Sequence, residues 1–264
     1  MNTDQILALY DEQERKNGEH PSYRRQVTPE LTRHISKDPQ WLSFIIYSNL
    51  ASENADVIIR REIDSYRQRD GRGLEWKTYG HDLPPDLPKR LAEHGFEADE
   101  EEALLVMDLQ ECPDIYRQPV QIDVRKIGVA QLADVVAVQE AVYAAEFGWL
   151  AKQLRQNLTD EPDYWSIYVA YVDDNPACAA WISFPANSQF AGLWGGATLA
   201  AYRKMGLYTA VVATRAQEAL KRGYRFLMVD ASEMSRPILE KRGFQLLTHT
   251  TPYTWKNPDF NDKK

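Results

Sequence analysis

The chain has 264 residues, with 31 Lys and Arg against 39 Asp and Glu, and a formal charge of −8 at pH 7. With 44% hydrophobic residues it can bury a core, and its acidic balance excludes a nucleic-acid-coating protein, which needs a basic face to neutralise phosphates. Two cysteines, Cys112 and Cys178, and histidines at 20, 34, 81, 94 and 249 without ligand spacing exclude a disulfide framework and a four-thiolate zinc site.

Residues 3–16 carry Ile6, Leu7 and Tyr10 and read as a short, charged helix. The start at Met1-Asn2-Thr3-Asp4-Gln5 lacks the basic and apolar regions of a secretory signal, and no apolar run approaches the roughly 18 residues of a membrane span. The expectation is a cytoplasmic protein with two buried thiols in a reducing compartment and no membrane contact. Residues 23–27 suit a strand, and Thr28-Pro29-Glu30 has the composition of a helix start. A strand is expected at 41–50, a helix at 54–69 on the stripe Val57, Ile58, Ile63 and Tyr66, and a strand at 74–79. A helix over 87–94 ends at Gly95-Phe96, with a strand at 103–109. The polar stretch 110–118 contains Pro113 and abuts Pro119. It divides the chain into 1–112, a linker at 113–118, and 119–264.

The second half opens with a strand at 119–126 and helices at 129–144 and 149–157. Strands at 166–172 and 177–184 are joined by Asp173-Asp174-Asn175-Pro176, a hairpin turn by composition. A third strand, 190–200, contains Gly192, Gly195 and Gly196, which point to a bulge or a close approach by a ligand. A helix follows at 206–221, then a strand at 226–229, a helix at 234–242 and a strand at 244–247. Both halves contain L-x-x-x-G-F, at Leu91–Phe96 and Leu239–Phe244, after a strand, a long helix and a short strand. Duplication of an α/β unit explains this order, and so does chance, because helix–Gly–apolar is a common ending.

The stretch 198–208, TLAAYRKMGLY, lies between a strand and a helix, with Arg203 and Lys204 before Gly206. A helix start offers free N–H groups and a partial positive charge, which suit phosphate. A plain loop with a solvated basic pair has the same local sequence. Here the sequence resembles the GNAT acyltransferases, the GCN5-related N-acetyltransferase superfamily. Their acyl-CoA loop reads R/Q-x-x-G-x-G/A, and Arg203 and Gly206 take those places, whereas Tyr208 departs from the final Gly or Ala. The elements that follow, to Gly243-Phe244, keep the family order, and the resemblance covers 119–255.

The resemblance implies an α/β mixed-sheet fold, complete in the C-terminal half and partial in the N-terminal half, as in tandem-GNAT proteins. It implies acetyl-CoA as co-substrate, its pyrophosphate on Arg203, Lys204, Met205, Gly206, Leu207 and Tyr208. Its pantetheine would pair with Ala197, Thr198 and Leu199, and Ser235 would lie near the thioester. The first half has Ala51-Ser52-Glu53-Asn54-Ala55 at the corresponding place, without glycine or base, so one cofactor site is expected.

The family's proton-donating Tyr falls on Leu239, and 190–200 contains no Asp or Glu to act as base. Ser232 and Glu146 are the candidate catalytic groups, with helix capping and a solvated turn as their alternatives. Asp230 could orient an amine or cap a helix. Phe147, Trp149, Trp181 and Trp194 are candidate walls of an acceptor pocket, or core aromatics. The leading expectation is an acetyl-CoA-dependent N-acetyltransferase that acts on a small-molecule or amino-acid primary amine. It would use no metal, bind no nucleic acid or membrane, and be a monomer or homodimer. The alternatives are a non-catalytic acyl-CoA-binding or interaction module on the same fold and, third, an enzyme using aminoacyl-tRNA donors.

Overall fold

The computed structural model describes residues 1–69 and 71–260. Contacts divide the chain into two units. The first comprises Met1–Leu105, Asp230–Lys241 and the residues from Gln245 onward; the second comprises Val106–Val229 and Arg242–Phe244.

Helix α1 (Thr3–Tyr10) starts with a reciprocal cap. Asn2 Oδ1 accepts from Gln5 N at 2.9 Å, and Gln5 Oε1 accepts from Asn2 N at 3.0 Å. A π-helical turn, Asp11–Lys16, extends it. Strands β1 (Tyr23–Val27) and β2 (Leu31–Ser36) form an antiparallel hairpin, so Thr28-Pro29-Glu30 is its turn and not the helix start that was expected. Thr28 N donates to Leu31 O, and Leu31 N donates to Thr28 Oγ1, which closes the turn. The hydroxyl that could cap a helix is used there, and the β-branched Thr32 and Ile35 favour the strand that follows. Strand β3 (Ser43–Ser48) pairs antiparallel with β2, α2 (Ala55–Arg67) crosses over, and β4 (Gly73–Tyr79) returns parallel to β3. Then come α3 (Leu87–Glu93), β5 (Glu97–Ala98) and β6 (Glu102–Asp108).

The second unit repeats that order. After β7 (Val124–Ile127), α4 (Leu132–Tyr143) and α5 (Gly148–Asp160) come β8 (Trp165–Val172) and β9 (Asn175–Ser183). Asp173 and Asp174 sit at φ 49° and 60°, the conformation a tight hairpin turn demands. Strand β10 (Phe190–Thr198) pairs antiparallel with β9, α6 (Leu207–Lys221) crosses over, and β11 (Phe226–Ala231) runs parallel to β10. Helix α7 (Arg236–Glu240) and β12 (Gln245–Lys256) complete the chain. The first unit has the strand order β1-β2-β3-β4-β12, with β5 beside β12; the second has β11-β10-β9-β8-β7.

Packing does not follow the division at 1–112, 113–118 and 119–264. Strand β12 is 12 residues long, where four were expected, and pairs with β4 from Thr250↔Tyr79 to Lys256↔Gly73. Its Trp255 joins Trp76, Leu91 and Phe96 in the first unit's core. The segment taken as linker is tied into the second unit. Asp114–Tyr116 forms a 3-10 turn with Tyr116 buried, and Gln217 Nε2 donates to Gln118 O at 2.7 Å.

The shared L-x-x-x-G-F keeps the same burial and backbone handedness in both places. Leu91 and Leu239 are buried, Gly95 and Gly243 have φ of 86° and 99°, and Phe96 and Phe244 are buried. Gly95 directly follows the α3 C-cap His94, with Phe96 N donating to Leu91 O at 3.0 Å, while Gly243 lies two residues beyond the α7 C-cap Lys241; glycine is the unstrained residue at both.

In the second unit, side chains of β8 alternate between two layers, as strand geometry dictates. Ile167, Val169 and Tyr171 enter a core with Leu132, Val135 and Val138 of α4 and Leu150 and Leu154 of α5. Ser166 and Tyr168 turn the other way, to Glu218 of α6. Thus α4 and α5 cover one face of this sheet and α6 the other. Cys112 and Cys178 are buried and unpaired, and among the described residues no helix is long and apolar enough to cross a membrane.

Glu218 carries a pH dependence. Burial alone would raise its pKa, but hydrogen bonds from Tyr168, Lys126 and Arg222 outweigh that and hold it at about 2. A depressed carboxylate pKa stabilises the fold above the ordinary value near 4.5. That stabilisation is lost as pH falls towards 2. Glu218→Gln is expected to lower the melting temperature at pH 7, and its difference from wild type to shrink as pH falls from about 4.5. Thermal unfolding of both proteins across pH 2.5–7 measures this.

Candidate functional site

Strand β10 leaves its neighbours partway along. Its parallel ladder with β11 ends at Gly192↔Met228, and its register with β9 shifts between Trp194 and Ala197. Gly195 and Gly196 therefore have no partner on either strand and form the bulge that the three glycines announced. A side chain at either would crowd a ring. Gly195 has φ 61°, and a Cβ there would lie 2.0 Å from the Trp181 ring. At Gly196 a Cβ would lie 2.8 Å from Cε2 of Tyr208.

The chain then turns through a 3-10 segment, Ala200–Tyr202, and reaches α6 with Lys204 at φ 65° and Gly206 at φ 84°. The first intrahelical bond of α6 is Ala210 N to Gly206 O, 2.9 Å. The amides of Leu207, Tyr208 and Thr209 precede it and have no carbonyl of their own helix to bond. Arg203, Lys204 and Met205 beside them are exposed, and Arg203 Nε reaches back to Thr198 O at 3.3 Å. An open helix start, a basic pair and a left-handed glycine together suit a diphosphate. Tyr208, where the resemblance expects Gly or Ala, lays its ring beside Gly196. Burial pushes its pKa up, so the hydroxyl keeps its proton at neutral pH.

Two buried polar side chains that no sequence motif marks meet this bulge. Gln139 of α4 donates from Nε2 to Gly195 O at 2.6 Å. Arg215 of α6 donates from Nη1 to Trp181 O at 3.0 Å and Trp194 O at 3.5 Å, and from Nε to Val211 O at 3.3 Å. Arg215 is 1% exposed and makes no ion pair among the described residues. Their signal was a polar residue in an apolar helical stripe. Arg215 follows Val211 at i+4, and Gln139 follows Val135 at i+4.

Of the expected acceptor walls, Phe147 and Trp149 lie in a tilted row with Tyr143, at centroid distances of 5.8 Å for each step. Trp181 and Trp194 face each other across the β9–β10 ladder. Trp194 Nε1 donates to Ser183 Oγ at 2.9 Å, and its ring lies 6.4 Å from that of Trp165. Phe147 and Trp181 both pack against the second unit's core. Glu146 is exposed in the turn between α4 and α5.

Ser232 and Ser235 fall in the first unit. Ser235 Oγ donates to Ser232 O at 3.2 Å, and neither hydroxyl caps α7. Leu239 is buried. Asp230 neither caps a helix nor stands open: it pairs with Lys77 at 2.6 Å and accepts from Thr250 Oγ1 at 3.0 Å.

The first unit has a parallel strand pair at the same point of its order, closed differently. The β3–β4 ladder ends at Ile45↔Trp76. Beyond it Arg15 Nε donates to Ile46 O at 3.0 Å, and its guanidinium lies 3.6 Å from the Tyr79 ring centroid. Its Nη2 reaches both Asp82 oxygens, at 2.6 and 2.9 Å. The turn into α2 is short, with Ala51 N donating to Asn54 Oδ1 at 2.9 Å. It has no glycine and no base. Arg15 thus fills the opening, and no phosphate loop stands beside it.

Residues 133–244 match the family described as Acetyltransferase (GNAT) family. No curated protein matches the chain. Among solved structures, a GCN5-related N-acetyltransferase from Kribbella flavida is similar, at 15% identity over 96% of this chain and 95% of that one, TM-score 0.69. A functionally unknown conserved protein from Staphylococcus epidermidis gives 14% identity, 90% and 96% coverage, and TM-score 0.67. A tandem GNAT protein from the clavulanic acid biosynthesis pathway gives 12% identity, 99% and 89% coverage, and TM-score 0.58. At these identities the likeness is one of fold, the mixed α/β arrangement expected from the sequence.

The bulge generates a prediction. Gly195→Ala adds a methyl against Trp181 at a left-handed position and is expected to cost roughly 2–4 kcal/mol, overpacking and backbone strain combined. Chemical denaturation of wild type and variant gives the difference.

Proposed function

We propose that the chain, whose residues 133–244 match the acetyltransferase (GNAT) family, is an acetyl-CoA-dependent N-acetyltransferase acting on the primary amine of a small molecule or amino acid. The observation that carries this reading is the path from the β10 bulge to α6. It offers unbonded first-turn amides at Leu207–Thr209, an exposed Arg203 and Lys204, and Gly206 at φ 84° with its nearest side chain 3.7 Å from where a Cβ would be. These residues fit a diphosphate. Bound there, acetyl-CoA supplies the activated acetyl group. The bulge residues Gly195 and Gly196 have no Cα partner on β9 or β11, and we assign their amides to the negative charge that forms on the thioester oxygen. Ala197, Thr198 and Leu199 remain the strand segment for the pantetheine. The filled opening and absent loop of the first unit support a single cofactor site, in the second unit.

The exposed or half-exposed rings of Phe147, Trp149, Trp181 and Trp194 suit the walls of an acceptor site. Glu146 is the group we assign to proton transfer from the amine. Glu146→Gln is expected to lower kcat on a reactive amine by about 100-fold. Acetyl-CoA affinity should hold. Unchanged kcat would remove Glu146 from this role. A second reading, a non-catalytic acyl-CoA-binding module, is favoured by the buried Leu239 and by the absence of Asp and Glu from β10. A broad amine panel separates the two, because the module binds acetyl-CoA without turnover.

The cofactor site is tested by thermal-shift titration. A ligand bound only by the native state adds about 2.7 kcal/mol of stability at a hundredfold excess over its dissociation constant. Wild type should show this with acetyl-CoA. Gly206→Asn and Gly206→Asp carry similar left-handed strain, which both side chains tolerate. Only Asp sets a carboxylate against the diphosphate. The shift should survive in part in the Asn variant and vanish in a folded Asp variant. No shift in wild type would overturn the reading.

A further inference from the structure

We propose that Gln139 and Arg215 are positioning residues that hold the β10 bulge from both faces of the sheet and thereby aim its amides at the thioester carbonyl of the acyl donor. The proposal rests on the acyltransferase reading above and adds to it the side chains that set the geometry of the bulge.

The argument begins with the peptide plane. A trans peptide is rigid, and its N–H points opposite to its C=O. Fixing Trp194 O fixes the direction of Gly195 N–H, and fixing Gly195 O fixes that of Gly196 N–H. Arg215 holds the first carbonyl and Gln139 the second. Arg215 comes from α6 and Gln139 from α4, helices that cover opposite faces of this sheet. The bulge is thus gripped at two successive planes from two sides. Without the grip these glycine peptides, outside either ladder, could rotate.

Burial and charge make the arrangement specific. Gln139 is 3% exposed and Arg215 1%. An unpaired guanidinium in the interior is costly unless its N–H groups are bonded. Here its acceptors are backbone carbonyls, one on β9 and one at the bulge, together with Val211 O of its own helix. An apolar residue at 215 would pack in α6 and leave Trp194 O without that donor. A methionine at 139 would fill the space of glutamine and leave Gly195 O without its donor.

The test uses the full chain with acetyl-CoA labelled by ¹³C at the thioester carbonyl. Hydrogen bonding to that oxygen moves the carbonyl resonance downfield of its free position. We expect a downfield shift in wild type and a smaller one in Gln139→Met and Arg215→Met. The preference for acetyl-CoA over CoA should fall about 3- to 10-fold, the range for one lost hydrogen bond. CoA affinity should hold, since loop 203–208 is untouched. Arg215→Lys, which retains a donor, should restore part of the shift. If Arg215→Met does not fold, the neutral Gln139→Met decides. A wild-type resonance in folded Gln139→Met would overturn the proposal, as would an equal loss of CoA and acetyl-CoA binding. Failure of wild type to bind acetyl-CoA would instead overturn the acyltransferase reading, and this inference with it.

Discussion

A carbonyl turned out of a β-ladder must find another donor, and the second unit is arranged around two of them. The register of β10 slips at Gly195 and Gly196, where the strand has already parted from β11. The consequences spread outward from that point. The left-handed backbone at Gly195 is compatible only with a residue lacking Cβ, because the Trp181 ring occupies the space. The carbonyls at the bulge are met by one polar side chain from each of two helices, Gln139 of α4 and Arg215 of α6. Those helices then lie where their own packing and the bulge both require. A bulge that was merely tolerated would not need buried donors on both faces.

The two units treat the same local geometry in opposite ways. Each has a meander, a crossover helix and a parallel strand, and in each the parallel ladder stops after three pairs. In the second unit the strand after the split is rich in glycine, and the chain runs through Arg203 and Lys204 to a long helix. In the first, the split holds Arg15, whose charge is satisfied by Asp82, by Asp11 at 2.8 Å and by the Tyr79 ring. Asp82 is itself held by Tyr79 N at 3.0 Å. Removing one member of so buried a set leaves the others unpaired, which holds the set together. One fold order thus yields one open helix start and one sealed one.

Much of this was legible in the sequence because it depends on local chemistry. Glycines at 192, 195 and 196 announced the bulge, the aspartates at 173 and 174 the hairpin, and Gly95 and Gly243 the left-handed residues that follow two helices. The path through Arg203 and Gly206 was legible for the same reason. What stayed hidden depends on partners distant in the chain. Nothing near residue 250 shows that β12 will pair with β4, and Trp255 reads equally well as the end of either core. Thr28-Pro29-Glu30 is a helix start or a hairpin turn according to which backbone group its hydroxyl meets. Asp230 suited a cap until Lys77 was placed beside it by a strand from the other end of the chain. Arg215 and Gln139 could have been noticed as polar residues in apolar stripes. Their roles follow only from the carbonyls they reach.

The departures from the family pattern fall on one side of the proposed chemistry. Anion binding and carbonyl positioning rest on backbone amides, on glycines and on two buried donors, and each has its place in the second unit. Proton donation rests on a side chain, and Leu239 supplies none. The asymmetry has a physical basis. A departing thiolate has a pKa near 8.5, so at neutral pH water can protonate it, and a general acid adds about 10²–10⁴ in rate at most. The charge that forms on the thioester oxygen has no such alternative, because a desolvated site must bring its own donors. A chain under this chemistry can lose its acid and slow down; if it lost the grip on its bulge, it would lose the donors on which the reaction depends. On that ordering, two buried donors, Arg215 and Gln139, are kept at the bulge while position 239 is apolar.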